Sequence, residues 1–252
     1  MSVIIVNPYI TNGFSNLYSA LFDGVDEGIV VADNSAFTFG NGGTDSPFSG
    51  SAWIQKNATG NASIICKAQT TTTAQEYFFV LLSNQLYFWI VDTDGTGDRV
   101  GRSTTVTITN DGLWHHVAFT YSGNKAASGI KLYIDGTQRD TANFNSGTYG
   151  GMSNTIAPLR IGTSNESFTW STNGLIAHPC MFNKELSATE VTELYNLKMN
   201  DARNLSFGSN LVEAWHFPTG IGDYPTYTGY KAGYNGNLTN MEAADINSTI
   251  PT

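Results

Sequence analysis

Short apolar and aromatic runs, separated by breaks rich in Gly and Asn, recur along most of this 252-residue chain. Examples are SGSAWIQ, SIICKAQ, YFFVLLSNQLYFWIVD, WHHVAFTY and IKLYIDG. Runs rich in β-branched and aromatic residues and bounded by turn residues are typical of strands, and many in succession are typical of a sandwich or barrel. The pattern predicts an all-β fold, an antiparallel two-sheet jelly-roll sandwich.

One segment, LSATEVTELYNLK, has a helical pattern instead. Ser187 and Glu190 have the spacing of a capping box, in which each side chain bonds the backbone N–H of the other residue. Val191 and Leu194 then fall at helical spacing. The segment predicts one short helix near residues 187–198, with its apolar side against the sandwich.

The chain has no linker of distinctive composition. We therefore predict an N-terminal arm at residues 1–18 and a single domain at residues 19–252, which includes a closure rich in Gly, Tyr and Asn. The apolar run Val3–Val6 either adds to an edge of its own sandwich or pairs with a neighbouring subunit by β-augmentation. In the second case the arm joins the chain to a homo-oligomer or to other proteins.

Charge and hydropathy argue against two classes of partner. The net charge is −9, and charged residues make up 13% of the chain, about half the usual share. Nucleic acids and anionic membranes both recruit Lys and Arg, so neither is expected to bind. The N-terminal MSVIIVNPYI lacks a basic region, and its apolar run is too short for a secretory signal or a membrane span.

Two neighbouring histidines lie in the run WHHVAFTY. Successive residues of a strand face opposite sides, so His115 and His116 cannot grip one metal ion together, and a structural role is predicted for both. Both faces of this strand carry apolar residues, which indicates a central strand covered on each side. With Trp114 buried on one face, Trp114→Ala is expected to cost about 3–5 kcal/mol.

Metal sites and disulfides are not expected. Cys66 and Cys180 are too few for a disulfide framework or a metal cluster, and buried free thiols are favoured over a single bridge. The segment DTDGTGDRV places Asp92, Asp94 and Asp98 as in the front half of a calcium loop, but Ser103 stands where such a loop needs a bidentate acid. A hairpin turn explains the same residues. We predict no metal and no cofactor.

Catalytic motifs are also missing. Glycoside hydrolysis uses two carboxylates that flank the scissile bond, and no strand carries an alternating row of them. The sequence contains no Gly-x-Ser-x-Gly elbow and no phosphate-binding loop. The chain is predicted not to be an enzyme.

The order of four segments resembles a known family. DGLWHHVAFTY, GIKLYIDGTQ, APLRIG and NGLIAHPCMFNKELSATEVTELY follow one another as in the concanavalin A-like jelly rolls of the laminin G-like and pentraxin-like group. The resemblance covers about Ser19 to Tyr195. In many members the late strand carries acidic residues that contribute to a calcium site, whereas here Ala177 and His178 stand at those positions.

The segment from LVEAWHF onward is similar to the endings of jelly-roll proteins encoded by tailed bacteriophages. This resemblance implies a non-catalytic structural or surface protein of a virion, either a capsid decoration or a tail component. Its expected location is the virion, its expected partners are other virion proteins, and glycan or host-surface contact is an additional expected role. The alternative is a glycan-binding module or glycosidase-like protein of a cell.

Sugar binding usually needs an exposed aromatic plane that stacks on the apolar face of a sugar ring. Rings in segments that read as loops are candidates, because loops carry much of binding function. The alternative is that these rings pin irregular loops to the core. The candidate ligand-binding residues are Trp170, Tyr224, Tyr227 and Tyr230, with Tyr234 in the same series.

Overall fold

The computed structural model describes residues 17–70, 74–92, 97–218 and 220–251. The predicted arm, up to residue 16, lies outside the described residues. The strands are, in chain order, β1 (Ser19–Asp23), β2 (Gly28–Val31), β3 (Phe48–Lys56), β4 (Ala62–Ala68), β5 (Gln75–Leu82), β6 (Gln85–Val91), β7 (Arg99–Thr107), β8 (His115–Tyr121), β9 (Ile130–Ile134), β10 (Thr137–Gln138), β11 (Asp140–Asn143), β12 (Leu159–Ile161), β13 (Asn173–Phe182), β14 (Leu211–His216), β15 (Thr226–Gly229), β16 (Gly236–Thr239) and β17 (Ile246–Asn247).

The helical segments are short. The α-helix α1 is Ala188–Leu197. Single 3-10 turns occur at Ser35–Phe37, Ala127–Gly129, Ala202–Asn204, Gly208–Asn210, Gly220–Asp223 and Ala243–Asp245. Within the described ranges, no helix is long and apolar enough to cross a membrane.

The strands form two antiparallel sheets. The larger sheet has the order β11-β7-β6-β5-β4-β12-β2-β16-β15. The smaller sheet has the order β17-β1-β13-β3-β8-β9-β10. Strand β14 pairs with β13 on one side and β15 on the other, and so links the two sheets.

The main core lies between the two sheets and is rich in aromatic rings. Phe88 of β6 stacks on Phe119 of β8 with ring centres 3.8 Å apart, and Phe79 of β5 contacts the same ring edge-on at 5.0 Å. These contacts join one sheet to the other because β5 and β6 belong to the larger sheet and β8 to the smaller. The predicted antiparallel jelly-roll sandwich is confirmed.

Strand β8 is covered on both faces, as its sequence predicts. Val117 and Phe119 lie in the main core, together with Leu132 and Ile134 of β9. Ala118, on the opposite face, is buried in a second cluster that also contains apolar residues of α1.

Trp114 requires a correction. It precedes β8 rather than lying within it, and its ring is half-buried among a small satellite cluster. The expected cost of about 3–5 kcal/mol for Trp114→Ala assumed full burial and does not apply. Instead, the ring forms part of a cleft described below.

The two neighbouring histidines have separate environments. The His115 ring approaches Asp135 Oδ2 at 2.8 Å through Nδ1 and Asp111 Oδ2 at 3.4 Å through Nε2. The His116 ring points the other way, is buried, and contacts the rings of Trp53 and Tyr195 at 5.2 and 5.9 Å. The histidines therefore hold separate parts of the fold together, as predicted.

Protein stability should fall as the pH drops below about 6.5, because two histidines are buried in the neutral form. Burial lowers the pKa of His116 to about 3 and that of His178 to about 4. In the unfolded chain both titrate near 6.5, so their stabilising contribution is present above that pH and is lost as the pH falls toward the folded pKa. Urea unfolding at pH 6.5 and 5.5 should show a loss of up to about 2 kcal/mol.

His115 contributes with the opposite sign. Its hydrogen bond to Asp135 raises its pKa, so its contribution is present below about pH 6.5 and is lost as the pH rises through the folded pKa. The control is His178→Gln, which should remove about half of the loss on acidification. An unchanged pH dependence in this variant would contradict the assignment.

Helix α1 begins as its sequence predicts. Ser187 Oγ accepts from the Glu190 backbone N–H at 3.3 Å, and Glu190 Oε2 accepts from the Ser187 backbone N–H at 2.8 Å. Val191 and Leu194 are buried against the smaller sheet's outer face with Ala118 and Cys180. This packing places the C-terminal turn of α1 beside the start of β8.

Candidate functional site

A row of side chains crosses the outer face of the larger sheet. Strand register pairs Arg160 of β12 with Cys66 of β4, Cys66 with Phe78 of β5, Phe78 with Trp89 of β6, and Trp89 with Gly101 of β7. Side chains alternate between the two faces of a sheet along each strand, so the residues adjacent in sequence to Cys66, Phe78 and Trp89 point into the main core. Cys66, Phe78 and Trp89 themselves face the other way and form a separate cluster. This outer row is an apolar floor with a cation at one end.

The floor is closely packed. The rings of Phe78 and Trp89 stack with centres 4.8 Å apart and an interplanar angle of 16°. A β-carbon at Gly101 would lie 2.5 Å from Cβ of Trp89 and 3.1 Å from the backbone oxygen of Phe144. Glycine at this position lets the segment after β11 approach Trp89 closely.

Two rings from loops cover the floor. The Trp170 ring lies edge-on to Phe78 at 6.3 Å and to Trp89 at 5.9 Å. Phe144 contacts Trp89 at 5.3 Å, and the Arg99 guanidinium lies 4.6 Å from the Phe144 ring centre. Trp170 remains half-buried, so part of its indole is open to solvent.

The loop that carries Trp170, residues 162–172, is strained and tied down. Phe168 and Trp170 have φ of +52° and +56°, a region that bulky side chains rarely adopt, at a cost of about 1–3 kcal/mol each. The Ser63 hydroxyl donates to the Trp170 carbonyl at 2.9 Å, and the Thr172 hydroxyl donates to the Ser63 carbonyl. Strain of this kind persists only where surrounding contacts fix the residue, and it is concentrated at ligand-binding and active sites.

The loop that carries Trp170 also carries an acidic side chain, Glu166. Glu166 accepts a hydrogen bond from the Thr70 backbone N–H at 3.0 Å and another from the Thr70 hydroxyl, and its carboxylate lies 3.8 Å from the Arg160 guanidinium. Partial burial opposes ionisation of Glu166, but the hydrogen bonds from Thr70 and from its own backbone, together with the charge of Arg160, outweigh it and hold its pKa below the ordinary value. An ionised, exposed carboxylate therefore lies in the loop that carries Trp170, four residues before it, at pH 7.

The candidate tyrosines lie in settings apart from this loop. Tyr224 directly follows the 3-10 turn Gly220–Asp223 and is 45% exposed. The Tyr230 hydroxyl accepts a hydrogen bond from the Ala202 backbone N–H at 3.3 Å and donates one to His178 Nε2 at 2.6 Å. The Tyr230 ring thus pins the closing segment to β13.

The prediction that Tyr227 binds a ligand is wrong. Its side chain is completely buried in the main core, where its ring lies 4.5 Å from that of Phe217. Alternation along β15 turns it inward, so it offers no ring face to a ligand. Tyr234 packs on the core against Phe37 at 5.2 Å. Of the candidate residues, Tyr224 is exposed, Trp170, Tyr230 and Tyr234 are half-buried, and Tyr227 is buried.

The cysteines and aspartates have structural roles in the described ranges. Cys66 and Cys180 are free and buried, as favoured from the sequence, and burial raises the pKa of the Cys66 thiol to about 12. Asp92 accepts the Gly150 backbone N–H at 2.6 Å, and Asp98 accepts that of Thr148 at 2.7 Å. Across the described residues, no group of three or more His, Cys, Asp or Glu is placed to hold a metal.

Chelation should therefore leave stability unchanged. Because backbone N–H groups already donate to the carboxylates of Asp92 and Asp98 and hold them in place, no cation is needed to position them. We expect EDTA to leave the melting temperature within about a degree or two of its value in buffer. A larger fall that calcium reverses would show a metal site at these residues.

A cleft at the smaller sheet was not predicted. Trp53, Trp114, Tyr195, Lys198 and Pro251 contribute to its wall. These residues come from β3, the turn before β8, the last turn of α1 with the residue that caps it, and the segment near residue 251. No local pattern signals such a site, because the residues converge only through the tertiary fold.

Comparison with known proteins identifies the family of this chain. The model of the concanavalin A-like lectin/glucanase superfamily matches residues 23–192. No curated protein matches the chain.

Three solved structures share the fold at low identity. A putative carbohydrate binding protein from Bacteroides ovatus ATCC 8483 has 14% identity and a TM-score of 0.61, over 89% of this chain and 58% of that one. Domain 4 of AbnA, a GH43 extracellular arabinanase from Geobacillus stearothermophilus in complex with arabinotriose, has 19% identity and a TM-score of 0.51, over 70% of this chain and 76% of that one. The CBM40 of the Ruminococcus gnavus IT-sialidase, bound to α2,3 sialyllactose, has 11% identity and a TM-score of 0.50, over 72% and 100%.

This chain spans 58% of the length of the Bacteroides ovatus protein. Identities this low establish the shared fold alone. The family model is the stronger finding, because it matches most of the jelly roll and the segments whose order carries the resemblance. The chain belongs to the concanavalin A-like lectin/glucanase superfamily.

Proposed function

We propose that this protein is a non-catalytic glycan-binding module that stacks a sugar ring on Trp170 at the outer face of the larger sheet. The observation that carries the proposal is the strained loop that holds a partly open indole over an aromatic floor. An indole held this way loses little conformational freedom when a ligand binds, which favours affinity.

Each neighbouring group has a part in this proposal. The indole of Trp170 packs against the apolar face of the sugar. The Glu166 carboxylate accepts hydrogen bonds from sugar hydroxyls, and charged acceptors make the stronger bonds. Arg160, 10% exposed in its side chain, holds Glu166 in place from the floor.

The structural relatives support the ligand class. Those named above are a putative carbohydrate binding protein, a domain in complex with arabinotriose, and a module bound to sialyllactose. Binding without catalysis agrees with the sequence, which offers no alternating row of carboxylates. A virion location stays a prediction from the sequence.

A glycan array followed by titration tests the proposal. The intact protein should retain a subset of glycans, and Trp170→Ala should weaken binding of the best one at least about tenfold, since that loss corresponds to about 1.4 kcal/mol of stacking. Glu166→Gln keeps the shape of the side chain and should weaken binding by a smaller factor. Calorimetric titration measures both.

The matched comparison is Tyr224→Ala, which removes an exposed ring outside the Trp170 loop. Its affinity should equal that of the intact protein. The proposal is overturned if the array retains no glycan, if Trp170→Ala binds as well as the intact protein while its melting temperature is unchanged, or if the loss occurs with Tyr224→Ala instead.

A further inference from the structure

The outer face of the smaller sheet has a cleft of about 380 Å³ between β3, the turn before β8, α1 and the chain end. Its volume is near the lower end of the range for small-molecule sites, enough for one or two sugar-sized rings. The cleft lies on the opposite sheet from Trp170. Its lining residues are Trp53, Gly112, Leu113, Trp114, Tyr195, Lys198 and Pro251.

The aromatic wall of the cleft is rigid. Trp53 of β3 and Tyr195 of α1 stack with centres 5.5 Å apart and an interplanar angle of 27°. The buried His116 ring backs both of them. A β-carbon at Gly136 would lie 3.2 Å from the Tyr195 ring, so the turn after β9 also supports that ring closely.

The remaining wall is apolar and partly open. Leu113 is 60% exposed, and Trp114 beside it is half-buried. The turn that carries Leu113 is held by Asp111, whose Oδ1 accepts the Leu113 backbone N–H at 2.9 Å, and by Gln55, which donates to the Gly112 carbonyl. The protein therefore keeps an exposed apolar rim next to a preformed aromatic wall.

Charge in the cleft is of one sign. Lys198 lines it, and among the described residues no carboxylate belongs to its lining or forms an ion pair with Lys198. Asp111 in this turn and Asp135 after β9 already hold His115 and backbone N–H groups. The backbone of Lys198 is held in place, because its carbonyl accepts a hydrogen bond from His178 Nδ1 at 2.9 Å, and it has a φ of +53°.

The polar side-chain groups of the lining are mainly hydrogen-bond donors. Indole N–H groups and an ammonium donate only, and the tyrosine hydroxyl both donates and accepts. A ligand that matches this wall has an apolar ring face and an anionic acceptor. In a protein whose net charge is −9, an unneutralised lysine in an aromatic cleft selects an anion locally.

We infer that this cleft is a second binding site, for an acidic monosaccharide residue of a glycan. The apolar face of the sugar lies on the aromatic wall and its carboxylate meets Lys198. The inference takes from the proposed function only the ligand class, a sugar, and otherwise rests on residues that the Trp170 face does not use.

Titration with glucuronate and with glucose tests the inference, because the two sugars differ in the carboxylate. Ligand-observed NMR should show glucuronate binding more tightly than glucose to the intact protein. Lys198→Gln should weaken glucuronate binding about threefold to tenfold and leave glucose binding unchanged, so that the preference disappears. Tyr195→Ala should weaken both, since it removes ring surface rather than charge.

Two controls separate this inference from the proposed function. Lys184→Gln makes the same change in net charge at a lysine that pairs with Glu190 outside the cleft, and it should preserve the preference. Trp170→Ala should bind glucuronate as the intact protein does. The inference is overturned if glucuronate does not bind, if Lys198→Gln keeps the preference, or if Trp170→Ala abolishes glucuronate binding, whereas a failed glycan array alone overturns only the site at Trp170.

Discussion

Lys67→Met should lower the free energy of unfolding by about 3–5 kcal/mol, because it leaves a buried carboxylate without its cation. The side chains of Lys67 and Glu76 are both 0% exposed, with Lys67 Nζ 2.8 Å from Glu76 Oε1. The same ammonium donates to Asp33 and to the Ala157 carbonyl, each at 2.8 Å. Burial already raises the pKa of Glu76, and loss of Lys67 removes the main group that opposes this rise, leaving only the hydrogen bonds from Thr155 against it.

Urea unfolding of three variants measures the effect. Adding Glu76→Gln to Lys67→Met should restore part of the lost stability, since the uncompensated charge is then gone. Lys131→Met is the surface control, because Lys131 and Glu185 pair at 2.8 Å with 37% and 31% of their side chains exposed, and its cost should stay below about 1 kcal/mol. Equal losses for Lys67→Met and Lys131→Met would show that burial does not set the cost.

Trp215→Ala should cost about 3–5 kcal/mol, the loss usual for a large buried ring. Trp215 of β14 is 0% exposed, lies 5.7 Å from the Phe37 ring, and donates through Nε1 to the Tyr234 carbonyl at 2.6 Å. Because β14 links the two sheets, truncation of Trp215 leaves a cavity at the junction between them.

The comparison for Trp215→Ala is Trp114→Ala. The half-buried Trp114 ring packs in a small satellite cluster, so its truncation should cost only about 1–2 kcal/mol. Calorimetric unfolding of the two variants gives the difference. A loss of stability for Trp114→Ala as large as that for Trp215→Ala would show that the Trp114 ring is as buried as the sequence predicts.

Local patterns in the sequence are enough to predict the fold class. The strand WHHVAFTY has apolar residues on both faces, and β8 is covered on both faces. The capping-box spacing of Ser187 and Glu190 predicts where α1 begins. Trp114 is the exception, since the pattern does not show that the strand begins one residue later.

The candidate site is less accessible to such reasoning. Trp170 can be predicted as a loop aromatic, but the floor below it depends on the register of five strands, which no short run reveals. Tyr227 reads as a loop residue because its surroundings are rich in Gly and Asn, yet it lies in β15 and faces the core. The second cleft combines residues from 53 to 251, so only the tertiary structure brings them together.

The most direct test of glycan binding at the larger sheet is an NMR titration of isotope-labelled protein with the best glycan from the array. We expect saturable shifts of the Trp170 indole N–H and of backbone amides in the loop 162–172, with no shift of Trp215 in the core. Shifts confined to residues outside that loop and its floor, with the Trp170 indole unchanged at saturation, would contradict this expectation.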